Sequence, residues 1–335
     1  MKKLLSKCLG FLVPLCLIVL IPTLLYIDKD VHSDFGDKDN YSWKYNVQSL
    51  GDISTKKLLT SPVKYNSFIL GSSRTAGVYA CYLEKKITDS KFLHYTSWSD
   101  PIEGIYKKLK LVDSLGYPID NVIMYLDTDY TFKFKGKCRP NDHYLVTGDT
   151  RAKYLFKHYQ SFFSRMDLNK VKILLGAEIE GEAFPNWESD VFTNDYNHKC
   201  SDSIIATYGN IKNPKTFKAG IDSLKTSGFF YERPKKQTYQ SSQISNFEHD
   251  VLLNIKALFK KHKTNYYIVI TPLYSQLKFS DKDMKIIEDC FKGNVYDFSG
   301  KTEITDNIYN YPDKEHFTTS VSKHILDSII KISPK

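Results

Sequence analysis

Two stretches of the chain alternate between short apolar runs and segments whose apolar residues recur every three or four positions. In the first stretch, the predicted elements are a strand at 67–70, a helix at 75–87, a strand at 92–96, a helix at 102–115 and a strand at 121–127. Gly116 and Pro118 end the second of these helices, because glycine and proline commonly follow a helix end. The first stretch therefore predicts three strands joined by two helices.

The second stretch lies toward the C-terminus and repeats the alternation. It predicts a helix at 247–261, a strand at 265–272, a helix at 281–291, a strand at 294–298 and a closing helix at 320–332. Strands that alternate with helices form right-handed crossovers and a mainly parallel sheet with helices on both faces. We predict an α/β three-layer sandwich of about five strands, with its ligand site outside the carboxyl ends of the strands.

The remaining regions divide the chain into segments. Residues 28–62 are polar without a sustained period and are interpreted as a stalk and lead-in, and residues 63–335 as the main domain. An irregular insertion at about 128–245 follows the third strand, although residues 151–166 within it have a helical pattern. The insertion thus interrupts a single α/β domain.

An uncharged apolar segment, "CLGFLVPLCLIVLIPTLLYI", occupies residues 8–27. At about 1.5 Å per residue, a helix of this length spans a hydrocarbon core of roughly 30 Å. Lysines at 2, 3 and 7 precede it and the acidic residues of 28–30 follow, which favours a domain outside the cytoplasm. The alternative is a cleaved signal peptide, but the run exceeds the usual apolar core of about 7 to 15 residues. We predict a single-pass anchor.

Charge and cysteine content fit that location. The formal net charge of +9 favours anionic partners such as acidic glycans or anionic lipids, and the outside location argues against nucleic acid. Four cysteines lie beyond the apolar segment: Cys81, Cys138, Cys200 and Cys290. An oxidising compartment permits disulfides, three pairings are open, and we favour Cys138 with Cys200 because both lie in the irregular insertion.

The seam between the first strand and the following helix reads Gly71-Ser72-Ser73-Arg74. A serine at this place has its hydroxyl at the sheet edge, where backbone N–H groups can stabilise an oxyanion. Serine is also a preferred N-cap residue, so the same sequence is typical of a turn that caps a helix. The seam alone leaves both interpretations open.

A second loop, "YNYPDKEHFTTS", separates the last strand from the closing helix. Its Asp313 lies three residues before His316, so the carboxylate can accept a hydrogen bond from Nδ1–H and leave Nε2 as a base. An Asp and a His also occur near a helix start for other reasons, since Asp caps helices and the residues of the next turn are often polar. Its position after the last strand brings it toward the rim that carries the serines, which favours a Ser-His-Asp site.

These residues resemble the first and last motif blocks of the SGNH (GDSL-like) hydrolases. The anchor, the "GSSR" block, and the "VITP" and "VYDF" strands are closer still to the membrane-tethered DltD-like and AlgX/AlgJ-like members. The resemblance covers residues 65–129 and 246–332. It implies a flavodoxin-like sheet, a location at the bacterial cytoplasmic membrane facing the periplasm or outside, and work on envelope polymers beside a membrane-bound O-acyltransferase.

The resemblance also implies roles for individual residues. Ser73 is the implied nucleophile, His316 the base and Asp313 its orienting carboxylate. The family's glycine after the second strand is absent here, and "YLDTDYTF" stands where an asparagine donor is usual. The remaining oxyanion candidates are the Ser73 backbone N–H, Ser99 and Thr128.

The expected function is that of an extracytoplasmic serine acyltransferase or esterase that O-acetylates an envelope polysaccharide. A non-catalytic partner that binds glycan or docks a membrane acyltransferase is the alternative, and an esterase for small acyl esters is a third. No cofactor or metal is expected, because the spacing of Asp195, His198 and Cys200 matches no zinc arrangement.

Overall fold

The computed structural model describes residues 10, 12–14, 16, 50–133, 142–164 and 214–330. Across these residues, no helix combines the length and apolarity that crossing a membrane requires. The predicted anchor at residues 8–27 lies almost entirely outside the described residues, as do Cys138, Cys200 and His198.

Seven strands are described, of which five form one parallel sheet. In chain order they are β1 (Ser67–Leu70), β2 (Phe92–His94), β3 (Asn121–Leu126), β4 (Thr238–Tyr239), β5 (Asn265–Ile270), β6 (Leu277–Lys278) and β7 (Val295–Asp297). The order across the main sheet is β2-β1-β3-β5-β7, and β4 pairs separately with β6. The prediction of an α/β fold with about five mainly parallel strands is confirmed, and the strand order is that of a flavodoxin-like sandwich.

Helices connect these strands and lie on both sides of the sheet. They are α1 (Leu50–Thr60), α2 (Ala80–Lys86), α3 (Ile102–Ser114), α4 (Tyr144–Thr147), α5 (Arg151–Ser164), α6 (Pro214–Thr226), α7 (Asn246–His262), α8 (Asp281–Cys290), α9 (Glu303–Asp306) and α10 (Thr319–Ile329), with 3₁₀ turns at Ser73–Gly77 and Ile308–Asn310. Local chemistry sets their ends. Ser245 and Glu248 form a capping box at the start of α7, and Lys263 ends it in the left-handed conformation.

Alternating residues of the strands face two separate apolar layers. Phe68, Val122 and Ile268 face the layer that also contains apolar residues of α1, α3, α7 and α8. Ile69 and Ile123 face the opposite layer, against α2, α6 and α10. Because successive strand side chains point to opposite faces, the near-continuous apolar strands serve both layers, as expected for a sheet buried on both faces.

Two elements differ from the sequence-based expectation. The prediction of a single helix over residues 75–87 is wrong. A 3₁₀ turn at Ser73–Gly77 is separated from α2 by Val78 and Tyr79, whose backbones are extended (φ −96°, ψ 106° and φ −88°, ψ 125°). Residues 28–62 were interpreted as a stalk and lead-in, and α1 was not predicted there. Leu58 of this helix is fully buried in the core.

Two of the predicted disulfide candidates lie in the described part of the chain. Cys81 is disulfide-bonded, and its partner lies outside the described residues. Cys290 is a buried free thiol, and burial raises its pKa above the ordinary value. Cys290 is therefore an apolar core residue of α8, and the favoured pair of Cys138 with Cys200 falls outside the described residues.

Candidate active site

The strand order places a topological switch point between β1 and β3. The chain leaves β1 toward β2 on one side of the sheet, whereas it leaves β3 toward β5 on the other. Loops that diverge in this way leave a crevice outside the carboxyl ends of the two strands, where open α/β sheets bind their ligands. Gly71-Ser72-Ser73-Arg74 follows β1 and Asp127-Thr128-Asp129 follows β3, so both segments lie at this crevice.

Gly71 allows the chain to turn sharply as it leaves β1. Its φ is +145°, and an added Cβ would lie 2.9 Å from Cγ2 of Thr75 and 3.0 Å from Cβ of Tyr125. Neither the dihedral angle nor the space suits a side chain. Glycine at this position therefore permits the tight passage from the buried strand into the serine-bearing turn.

The hydroxyl of Ser72 is held by its neighbours. Its Oγ donates a hydrogen bond of 2.5 Å to Oδ2 of Asp127 and accepts one of 3.2 Å from the N–H of Arg74. The side chain is 2% exposed. Ser72 therefore caps the 3₁₀ turn and joins the loop after β1 to the loop after β3, and its hydroxyl does not face an open site.

Ser73, His316 and Asp313 lie together as the sequence predicts. Oγ of Ser73 is 3.2 Å from Nε2 of His316, and Nδ1 of His316 is 2.9 Å from Oδ2 of Asp313. A carboxylate beside Nδ1 selects the tautomer with a proton there, because an ionised carboxylate can only accept hydrogen bonds. The lone pair of Nε2 then faces the Ser73 hydroxyl, which is the geometry of a general base beside a nucleophile.

Asp313 is held in its ionised form. Burial alone would raise its pKa, but the hydrogen bond from the His316 ring, the attraction to that ring, and the backbone N–H groups of Glu315 and His316 outweigh burial and lower the pKa below its ordinary value of 3.8. Oδ1 accepts those two backbone hydrogen bonds at 2.6 and 2.8 Å. The same contacts fix the carboxylate relative to the imidazole.

The segment carrying His316 must cross the sheet to reach Ser73. It leaves β7, which is three strands from β1, or about 14 Å at roughly 4.8 Å per strand. Tyr311, which is buried, donates a hydrogen bond of 3.1 Å to the carbonyl of Pro272 after β5. A Cβ added to Gly77 would lie 3.2 Å from the carbonyl oxygen of Phe317, so the small residue allows the segments that carry Ser73 and His316 to approach closely.

Arg74 joins the loops around the crevice. Its guanidinium binds both carboxylate oxygens of Asp129, one of them at 2.9 Å, and lies 3.7 Å from Asp127. It also donates to the carboxylate of Glu315 and, at 3.0 Å, to the Glu315 carbonyl. Burial opposes the charge, but the carboxylates, Asp127 foremost, raise the pKa of Arg74 above its ordinary value. Arg74 is 4% exposed and therefore acts inside the fold as a link among three loops.

Asp127 occupies the place where the resemblance leads us to expect an asparagine donor. Burial raises its pKa above the ordinary value, against the attraction of Arg74. Its Oδ2 accepts the hydrogen bond that the Ser72 hydroxyl donates, so this carboxyl group holds the turn in place.

The oxyanion candidates differ in their positions. The N–H of Ser73 precedes the first hydrogen bond of the 3₁₀ turn, from Thr75 N–H to the Ser72 carbonyl at 3.1 Å, so the turn leaves it unused. Thr128 is fully buried and donates its hydroxyl to the Leu277 carbonyl at 3.3 Å. Ser99 lies in the turn after β2 with φ +45°, and within the described residues no hydrogen bond joins it to the triad. The Ser73 N–H thus stays available as an oxyanion donor, whereas the Thr128 hydroxyl has a different partner.

The sequence analysis did not identify the role of Arg74. The signal was present, because an arginine between a buried strand and a helix start needs carboxylates, and the acidic "DTD" after β3 provides them. What the sequence did not supply was the distance between these segments. Within the described residues there is also no group of three or more histidine, cysteine, aspartate or glutamate side chains arranged to hold a metal ion.

Comparison with known proteins identifies no family for this chain. No protein-family model matches the chain, and no curated protein matches it significantly. The arrangement of the residues is therefore what indicates a function.

Proposed function

We propose that this chain is a membrane-anchored, extracytoplasmic serine acyltransferase of the SGNH type that transfers an acyl group, most simply acetyl, to a hydroxyl of an envelope polysaccharide. The observation that carries the proposal is the contact of 3.2 Å between Ser73 Oγ and His316 Nε2, with Asp313 on the other ring nitrogen. Its position at the β1/β3 switch point of the sheet supports the same assignment.

The first half of the proposed reaction acylates the enzyme. His316 Nε2 accepts the proton of the Ser73 hydroxyl while Oγ attacks the acyl carbonyl carbon, and the Ser73 N–H donates to the developing oxyanion. The bond from carbonyl carbon to leaving group then breaks, and the leaving group takes the proton from His316. The product is an ester between the acyl group and Ser73.

The second half transfers the acyl group. A sugar hydroxyl attacks the acyl-Ser73 carbonyl as His316 accepts its proton, and the ester bond to Oγ breaks. Ser73 Oγ recovers the proton from His316, which restores the starting state and releases the O-acylated sugar. Asp313 remains ionised throughout and stabilises the imidazolium.

The proposal is tested by acylation and transfer. The full-length protein, purified in detergent, is incubated with an aryl acetate and digested, and the peptides are examined by mass spectrometry. We expect acetyl on the peptide that contains Ser73, lost in Ser73→Ala, and its removal when a polysaccharide acceptor is added. A folded protein that acquires no acyl group at Ser73 from any activated ester would contradict the proposal.

A second candidate function, a non-catalytic partner of a membrane acyltransferase, is favoured by the oxyanion region. Thr128 is committed to Leu277, and a carboxyl group stands at Asp127 where a donor is usual. A missing oxyanion donor costs about 10² to 10³ in rate. Complementation distinguishes the two functions: a strain in which Ser73→Ala restores full polymer acylation would support the partner, whereas loss of acylation would support the enzyme.

A further inference from the structure

Several aromatic rings lie beside the loop that carries His316. We define the aromatic shelf as Phe229, Phe230, Tyr231 and Tyr274. Phe229 and Tyr231 are exposed by 38% and 45%, whereas Phe230 and Tyr274 are buried. The shelf therefore has an outer pair of rings that face solvent and an inner pair that belongs to the core.

The inner rings support the outer ones. Phe230 packs on Tyr274 at 5.0 Å and Tyr231 meets Tyr274 edge-on at 5.1 Å between ring centroids. The Tyr274 hydroxyl donates a hydrogen bond of 2.8 Å to the Tyr231 carbonyl, and Tyr274 in turn packs against the buried Tyr311. Rings held in this way lose little conformational freedom on binding a ligand.

The shelf is next to the triad. Nζ of Lys314, which lies between Asp313 and His316 in the chain, is 4.6 Å from the ring centroid of Phe229. The pKa of the Tyr231 hydroxyl is raised by burial, by Tyr274, and by the carboxylates Glu315 and Asp129 of the crevice. A ligand on the outer rings would therefore lie beside the loop that carries Asp313 and His316.

Positive charge accompanies the rings. Arg233 lies 4.8 Å from the Tyr274 ring centroid and donates to the carbonyls of Thr305 and Asp306. Exposed Lys235 and Lys236 follow in the chain, and Glu232 is the only acid within residues 229–236. Together with Lys314, these groups place cations along the edge of an exposed aromatic surface.

We propose that the aromatic shelf is the acceptor subsite and that its ligand is an anionic polysaccharide. This inference rests on the proposed function, because the acceptor there is a sugar hydroxyl. The face of a pyranose ring presents weakly positive C–H groups, which suit the negative face of an aromatic ring. Carboxylates or other acidic groups on the same sugars pair with Lys314, Lys235 and Lys236. The aromatic rings orient the polysaccharide, and the cations favour a polysaccharide that is negatively charged.

The test measures binding of defined oligomers to the full-length protein in detergent by calorimetry. The probes are hexagalacturonate, the neutral cellohexaose, and hexathymidylate as a charged chain of another class. We expect hexagalacturonate to bind most tightly. Phe229→Ala and Tyr231→Ala should each weaken it at least about tenfold, and Tyr231→Phe should retain it. The matched control is Phe247→Ala, since Phe247 is 44% exposed on α7, in the opposite helix layer, and its removal should leave binding unchanged.

Each contrary outcome overturns a stated part. Equal binding of cellohexaose would show that the ligand need not be anionic. Tighter binding of hexathymidylate would show that the ligand is not a glycan. Equal losses of affinity in Tyr231→Ala and Phe247→Ala would show that the aromatic shelf is not the binding site. Ser73→Ala should bind hexagalacturonate as the wild type does. Acylation at Ser73 without oligosaccharide binding would therefore refute the shelf alone, whereas binding without acylation would refute the triad alone.

Discussion

The guanidinium of Arg74 contacts both the carbonyl and the carboxylate of Glu315. Arg74 directly follows the proposed nucleophile and Glu315 directly precedes the proposed base, although the two are 241 positions apart in the chain. This contact joins the two halves of the triad through their nearest neighbours. The short distance from Ser73 to His316 therefore depends on this ion pair, between buried Arg74 and exposed Glu315, as well as on the sheet.

Replacing Arg74 with lysine tests this positioning role. Lysine keeps the charge but cannot form the paired hydrogen bonds to Asp129 while also reaching Glu315. We expect acylation of Ser73 to slow about tenfold to hundredfold while KM for the ester changes little, and the pH profile of acylation to shift because His316 is held differently. Arg151→Lys, an exposed arginine at the start of α5, is the control. Wild-type rates and pH profile in Arg74→Lys would contradict the role.

Asp313→Asn tests the orienting carboxylate. An amide can present its N–H₂ to Nδ1 and favour the wrong tautomer of His316, so we expect acylation to fall about 10³- to 10⁴-fold with little loss of fold. Rates of ester turnover and the circular dichroism spectrum measure the two effects. A loss smaller than tenfold in a folded variant would indicate that Asp313 does not orient the base.

The lowered pKa of Asp313 predicts a pH dependence of stability. A carboxyl group whose folded-state pKa is below its unfolded-state pKa of about 3.9 stabilises the folded state above that pH. The contribution is lost as the pH falls through the lower, folded-state pKa. The difference in free energy of unfolding between wild type and Asp313→Asn should therefore shrink as the pH falls from about 5 to about 2. Urea unfolding measures it, and a difference that grows over this range would contradict the assignment.

Gly77→Ala tests the close approach of the two catalytic segments. The new Cβ would lie 3.2 Å from the Phe317 carbonyl oxygen and 3.3 Å from the backbone at Thr318 and Thr319, so the segment carrying His316 has to move by a few tenths of an ångström. We expect acylation to slow and the melting temperature to fall. In Gly220→Ala, on α6, the new Cβ meets nothing within 4 Å, and this control should stabilise the protein by about 0.5 to 1 kcal/mol.

Periodicity predicted much of the fold because apolar spacing reports directly on burial. The strand at 67–70 and the helices near α3 and α7 were predicted within one residue of their observed bounds. The broken helix after Ser73 was not predicted: the 3₁₀ turn ends at Gly77, which packs against a segment some 240 residues away, and local apolar spacing does not report such a contact. The helix α1 was missed because its own apolar pattern is weak, and packing of Leu58 into the core identifies it.

The candidate site was predicted where a residue's role follows from its position relative to strands. Ser73, Asp313 and His316 each follow a strand of a parallel sheet, and such ends share one rim. The resemblance already pointed to Ser73 as the nucleophile, and the structure adds the physical difference between the two serines: the Ser72 hydroxyl is bound to Asp127, whereas the Ser73 hydroxyl faces His316. The roles of Arg74 and of the aromatic shelf were also visible only in the structure, because their partners come from loops whose sequences have no regular pattern.

The most direct test of the triad is labelling of the full-length protein with a fluorophosphonate, which loses fluoride to an activated serine far faster than to an ordinary hydroxyl. We predict labelling of wild type at Ser73, none in Ser73→Ala or His316→Ala, and retained labelling in Ser72→Ala, which should lose about 0.5 to 2 kcal/mol of stability with its cap. The absence of label from folded wild-type protein, or label that persists in Ser73→Ala, would contradict the proposed triad.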